Sequence, residues 1–254
     1  TYTLGEVVQK IMQAHASGIA FREWNAGKGI DEHMTDQGFN VRIQLHTESG
    51  ILFGGNKWNC GTWMDKMGSS EKARNKGVPS TPRDGAPIEL TGLLYSAVNF
   101  LSELNTQGKF DWKGVQLPDG SELTYENWAS RIKAAFESLY FISDSGSAHE
   151  LGNELINVTG IYKDTIWSEL EYSEYQLRPN MCIAMAVAPG MFHPENAKKA
   201  LERVKEHLLP EIGHGQLGIR TLNEGDSRYR GFYDNSNDSE DYSVAHGFSY
   251  HNGP

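Results

Sequence analysis

The residues best suited by type and spacing to do chemistry lie in loops. The first group is Asn59-Cys60-Gly61-Thr62-Trp63-Met64-Asp65-Lys66-Met67-Gly68, where an aspartate stands two positions after a tryptophan in a glycine-bounded segment. A Trp63 that walls a pocket would partly desolvate Asp65. Desolvation raises a carboxyl pKa and keeps a proton available near neutrality. The general acid of a glycosidase requires this. The plainer reading is that Asp65 caps the next turn. A second loop, Thr81-Pro82-Arg83-Asp84-Gly85, offers Arg83 as a clamp for sugar hydroxyls and Asp84 as a turn residue before glycine. Glu89 follows one turn into a helix, at the positive end where a carboxylate is favoured in any case. A third stretch, Tyr175-Gln176-Leu177-Arg178-Pro179-Asn180, sets Arg178 and Asn180 at the mouth of an apolar helix. Buried charge is costly unless paired, so a structural salt bridge and a binding role are equally open there. The chain closes on Ser249-Tyr250-His251-Asn252-Gly253-Pro254, a turn-like stretch with an aromatic and a histidine.

Other chemistries find little support. Gly213-His214-Gly215-Gln216-Leu217-Gly218 has the glycine spacing of a dinucleotide loop, but a helix rather than a strand precedes it. The nine histidines are scattered and no H-E-x-x-H or C-x-x-C occurs, so no metal is expected. No G-x-S-x-G nucleophile elbow is present. Cys60 reads as a small buried residue. The 23 Lys and Arg against 33 Asp and Glu leave a net charge of −10, which argues against nucleic acid. No run of about 18 apolar residues is present to span a membrane. The first residues lack the pattern of a secretory signal, and two cysteines make no disulfide framework, so a cytoplasmic setting is expected. The sequons at Asn157 and Asn237 then read as chance. Six Trp and eleven Tyr fit either a core or a sugar-stacking surface.

The elements that must position these loops are mainly helical. Thr3 and Glu6 predict a capping box, with Leu4, Val7, Val8, Ile11 and Met12 on one face. Residues 16–38 read as a polar loop. Val41, Ile43 and Leu45, then Ile51 and Phe53, predict a β-hairpin. Residues 56–87 lack periodicity and read as a long, ordered functional loop. Pro87 opens a helix with Leu90, Leu93, Leu94, Ala97, Val98 and Leu101 inward. Thr124 caps another, with Trp128, Ile132, Ala135, Phe136 and Leu139 inward. Asn180 to Val187 is apolar nearly all round and is expected to be buried on every side. Pro194 starts a last helix, with Ala197, Ala200, Leu201, Val204 and Leu208 on one face. From Gly213 onward the chain reads as loop. Five or six helices, some amphipathic and some wholly apolar, suggest two layers but are too few to close a large helical barrel.

These stretches, taken in order, resemble the C-terminal amylo-α-1,6-glucosidase domain of the eukaryotic glycogen debranching enzyme. The resemblance runs along nearly the whole chain. It takes in Thr3 to Val7, Ile11 to Gly18, Phe21-Arg22-Glu23, Gly54-Gly55-Asn56, Asn59 to Gly68 and Thr81 to Gly85. It continues with Gly160-Ile161-Tyr162-Lys163-Asp164, Tyr175 to Asn180, Tyr233-Asp234-Asn235, Gly247-Phe248 and Tyr250-His251. It implies that residues 1–254 are part of an (α/α)6 barrel, truncated at both ends, with a small β-hairpin insertion. It implies inverting hydrolysis of a single α-1,6-linked glucose stub on glycogen or a branched limit dextrin, with no cofactor. Carried over, Asp65 is the general acid, Trp63 walls the glucose subsite and Arg178 binds its hydroxyls. Arg83, Glu89 and Asn180 are weaker carry-overs, and Tyr250 and His251 line the rim.

The family's glucose-binding Gly-Arg-Asp element is expected upstream of Thr1, and its catalytic glutamate base beyond Pro254. A 4-α-glucanotransferase domain is expected in the same polypeptide. An inverting glycosidase needs its two carboxyls about 6.5–9.5 Å apart. The competing readings are therefore an incomplete fragment that at most binds α-glucan, and an α-1,4-specific exo-glucosidase on the same barrel. An open fragment is also expected to expose the sides of its helices.

Overall fold

The computed structural model describes residues 2–24, 26–30, 32, 36–145, 153–209 and 218–253. The dinucleotide-like glycine run lies outside them except for Gly218, as does Pro254. Five α-helices and three small antiparallel sheets lie within them. Helix α1, Leu4–Ser17, starts as its sequence requires. The Thr3 hydroxyl accepts from the Glu6 amide at 3.2 Å, and the Glu6 carboxylate accepts from the Thr3 amide at 2.7 Å. Gly18 ends it at φ +90°, a conformation that favours glycine. The predicted apolar face is only partly used. Met12 and Ala16 are buried, whereas Leu4, Val7 and Ile11 are exposed.

Strands β1 (Ile19–Arg22), β2 (Asn40–His46) and β3 (Ile51–Gly54) form a three-stranded sheet in that order. The hairpin β2–β3 is as predicted, with His46 opposite Ile51. Strand β1 corrects the expected loop. Its short stretch of Ile, Ala and Phe pairs with β2, Ile19 against Ile43, and tertiary pairing decides what local polarity did not. The hairpin turn is held from outside, since the Trp128 indole donates to the Gly50 carbonyl at 2.7 Å.

The long loop 56–87 has no regular element but is ordered by partners. Gly54 and Gly85 exchange both backbone hydrogen bonds, at 2.9 and 2.8 Å, which ties the end of β3 to the Arg83 turn. Every residue from Pro79 to Glu89 is buried. Gly85 sits at φ +85°, and a Cβ there would lie 2.1 Å from the Ile166 carbonyl.

Helix α2, Ile88–Thr106, starts after Pro87 as predicted. It buries Val98 and Leu101 but leaves Leu90 and Leu93 exposed. Helix α3, Tyr125–Tyr140, is capped by the Thr124 hydroxyl accepting from the Asn127 amide. It buries Trp128, Ile132 and Phe136. Two small pairs were not foreseen: β4 (Gly114–Gln116) with β5 (Glu122–Thr124), and β6 (Phe141–Ile142) with β7 (Ile161–Tyr162). Helix α4, Asn180–Val187, has the predicted bounds but is not buried all round. Asn180, Met181 and Ala184 are buried, the last against Gly92 of α2, while Ile183 is exposed. Helix α5, Pro194–His207, buries Ala200 and Val204 and leaves Leu201 exposed, against expectation. The reason is common to all these cases. A stripe is buried only where another element lies against it, and among the described residues these faces have none.

The core runs between α2, α3 and the β6–β7 pair. Phe136, Tyr140, Tyr162 and Phe192 stack and meet edge-to-face at 4.8–5.5 Å.

Candidate active site

Arg83 organises the floor of the site. Its backbone is left-handed, φ +46°, and its guanidinium is buried. Nη1 and Nη2 donate to the two Glu89 carboxylate oxygens at 2.5 and 2.6 Å, a bidentate pair. Nε donates to Asp164 Oδ2, Nη2 to Asp164 Oδ1 at 3.2 Å, and Nη1 to the Thr62 hydroxyl at 3.3 Å. All five N–H groups are thereby used within the protein. Burial alone would ease proton loss from Arg83, but Asp164 and Glu89 outweigh it and hold the cation more firmly than usual. Arg83 alone faces two carboxylates, and the second cation beside Asp164 is Arg178, so four buried charges balance.

The network continues to the surface. Asp164 Oδ1 accepts from the Asn180 amide at 2.8 Å, and Asn180 Oδ1 accepts from the Trp63 indole N–H at 2.9 Å. Asn180 opens α4, Glu89 lies in the first turn of α2, and Asp164 follows β7. Three elements and two loops thus fix one indole ring, which is 48% exposed.

Arg178 forms a second buried centre. It donates to Gln176 Oε1 (2.9 Å from Nη2), Asn252 Oδ1 (2.8 Å), the Thr221 carbonyl (3.0 Å) and the His251 carbonyl (2.7 Å). Its Nε donates to Gln176 at 3.2 Å, so its five N–H groups are also committed. Asp164 lies 3.9 Å from its Nε. Burial pulls the Arg178 pKa down to about 10, with Arg83 adding to the pull and Asp164 opposing it. It is still a cation at neutral pH. Both arginines therefore fit an internal ion network, and neither holds a spare N–H for a sugar hydroxyl.

His251 is bound to this centre through its backbone and lies between two rings. Its imidazole meets Trp63 edge-on at 5.4 Å and Tyr250 at 4.8 Å. It is buried, and Nε2 has no hydrogen-bond partner. Burial, then the Arg178 charge, lowers its pKa to about 4, although Asp65 acts the other way. The ring is neutral at pH 7.

Asp65 is exposed, so the protein around it does not supply the desolvation that its spacing after Trp63 suggested. Trp63 turns its N–H inward to Asn180 instead. Tyr250 is 44% exposed, with the Lys66 ammonium 5.3 Å from its ring. Asp84 is a structural anchor. Its carboxylate accepts from the Ser168 hydroxyl at 2.7 Å and the Glu169 amide at 2.8 Å. Burial, then Asp65 and Glu23, push the Cys60 thiol up to about 12, which disfavours the thiolate. Among the described residues no cluster of three His, Cys, Asp or Glu could hold a metal.

Residues 2–254 match the family described as Amylo-alpha-1,6-glucosidase. The chain belongs to that amylo-alpha-1,6-glucosidase family. The glycogen debranching enzyme of Saccharomyces cerevisiae is 44% identical over 256 residues, which cover 99% of this chain and 16% of that protein. The chain thus spans about a sixth of that relative's length. No described helix of this family member is long and apolar enough to cross a membrane. The structure brings Trp63, Arg83, Glu89, Asn180, Arg178, Tyr250 and His251 into one linked group. Asp164, Gln176, Asn252 and Thr62 also belong to it and were missed as site residues. The available signal was electrostatic: an arginine at the mouth of an apolar helix, Arg178, demands acceptors if it is buried.

Proposed function

We propose that this chain carries part of the catalytic domain of an inverting glycoside hydrolase, one that releases the single α-1,6-linked glucose at branch stubs of glycogen or a limit dextrin. The proposal places the five described helices within an (α/α)6 barrel, in a cytoplasmic enzyme whose polypeptide also holds a 4-α-glucanotransferase domain. Asp65 is the general acid in this reading. Trp63, His251 and Tyr250 contact the glucose and its rim. A sugar ring seated on Trp63 would itself exclude water from Asp65 and so supply the missing desolvation. Arg83, Glu89, Asn180 and Arg178 act one layer below, holding Trp63 and His251 in place. The observation that carries the reading is the buried path Glu89–Arg83–Asp164–Asn180–Trp63, which fixes one exposed indole beside an exposed carboxylate.

The base must be another carboxylate. Glu89 and Asp164 are spoken for by Arg83, so neither can activate water. As the family resemblance implies, the reading takes the base from a longer polypeptide. The test is glucose release from a phosphorylase-limit dextrin by the longer polypeptide that carries this chain, as wild type and as Asp65→Asn. Loss of release by about 100-fold or more in the variant, with dextrin binding retained, is expected for a general acid. A variant as active as the wild type would sink the assignment of Asp65. Comparing isomaltose-type with maltose-type substrates separates this reaction from an α-1,4 exo-glucosidase. A second reading, glucan binding without turnover by these residues alone, is favoured by the full engagement of both buried carboxylates. It is distinguished by dextrin binding with no glucose formed.

A further inference from the structure

The rings around the site form a string that continues past it. Trp63 meets His251 at 5.4 Å, His251 meets Tyr250 at 4.8 Å, and Tyr250 meets Tyr233 at 4.8 Å, each contact edge-to-face. The string begins at the buried Arg178 centre and ends in solvent. His251 is 4% exposed, Tyr250 44% and Tyr233 38%. Phe232, next in the chain, is 71% exposed. Edge-to-face packing fixes each ring by its neighbour while leaving a face of the outer ones open. No described carboxylate or cation bonds the Tyr233 hydroxyl, so the outer end offers an apolar face with a polar tip. A ligand that suits both ends presents apolar ring faces and hydroxyls in succession. A linear α-glucan has that chemistry.

We infer that Tyr233, seated on Tyr250, is a binding residue for the glucan chain that bears the branch, on the leaving-group side of the cleaved bond. The inference rests on the glycosidase reading for its orientation but not for its test. Tyr233 contributes a stacking face, and its hydroxyl is dispensable. It is a specificity residue: it recognises chain rather than the terminal glucose.

The experiment is calorimetric binding of maltotetraose and of glucose to the full chain, as wild type, Tyr233→Ala and Tyr233→Phe. Loss of one stacked ring is expected to weaken maltotetraose about tenfold in Tyr233→Ala. Tyr233→Phe should restore wild-type affinity, and the ratio of maltotetraose to glucose affinity should fall only in the alanine variant. Equal maltotetraose affinity in the alanine variant and the wild type overturns the inference. So does an equal loss for glucose, which would mark Tyr233 as merely structural, and so does failure of the wild type to bind maltotetraose. Glucose release from a limit dextrin, measured alongside, separates the two ideas. Release without a Tyr233 effect on binding refutes this inference alone. A Tyr233 effect without release supports it and favours glucan binding without turnover by these residues alone.

Discussion

At the scale of single residues, the site is decided by which side chains have spare capacity. Arg83 and Arg178 have none, because every N–H already has an acceptor. Removing one partner from such a buried network typically costs about 3–5 kcal/mol, far more than a surface pair is worth. His251 is the opposite case, a buried ring with an unused nitrogen. Its folded-state pKa of about 4 lies below the ordinary 6.5. Above 6.5 it is neutral folded or unfolded, and its contribution is complete. As pH falls below 6.5 the unfolded chain takes up a proton that the folded chain refuses, so stability drops until pH reaches about 4. Urea unfolding at pH 7 and pH 5 should show this loss in the wild type and a smaller one in His251→Gln. An equal loss in both would assign the dependence to other groups. Trp63 and Asp65 were legible as a pair from their spacing. Their burial was not, since it depends on Asn180, 117 positions from Trp63.

At the scale of elements, caps and turns were readable because their causes are local. The Thr3 box, the Thr124 cap, Pro87 before α2 and Pro194 in α5 all act within a turn of chain. Strand β1 and the two small strand pairs were not, because their partners lie across loops. Packing between helices has one narrow point. A Cβ on Gly92 of α2 would lie 2.9 Å from Ala184 Cα and 3.0 Å from its Cβ. Gly92→Ala gains about 1 kcal/mol in helix propensity. The overlap meets backbone, which cannot rotate aside, and overpacking costs about 1–3 kcal/mol. The net effect should be destabilising, seen as a lower thermal midpoint. A raised midpoint would show that α2 and α4 separate freely.

At the scale of the whole molecule, the surface carries exposed apolar side chains that gather in one place. A groove of about 380 Å³ between α1, the three-stranded sheet and α2 is lined by Ile11, Met12, Val41, Ile43, Leu90 and Leu93. Leu93 is 47% exposed and Ile11 50%. Contiguous apolar patches of this kind favour association. Light scattering of the 254-residue chain should show concentration-dependent oligomers, and Leu93→Glu should reduce them. A strictly monomeric wild type would refute this.

Sequence by itself determined the helices, their caps, the main hairpin and the family, because each depends on near neighbours or on ordered motifs along the chain. Tertiary structure alone decided which apolar stripes are covered, that Asp65 is exposed, and that Arg83 and Arg178 face inward. It also brought in Asp164. Burial and ion pairing are set by groups far apart in the chain, and only the folded packing says which of them meet.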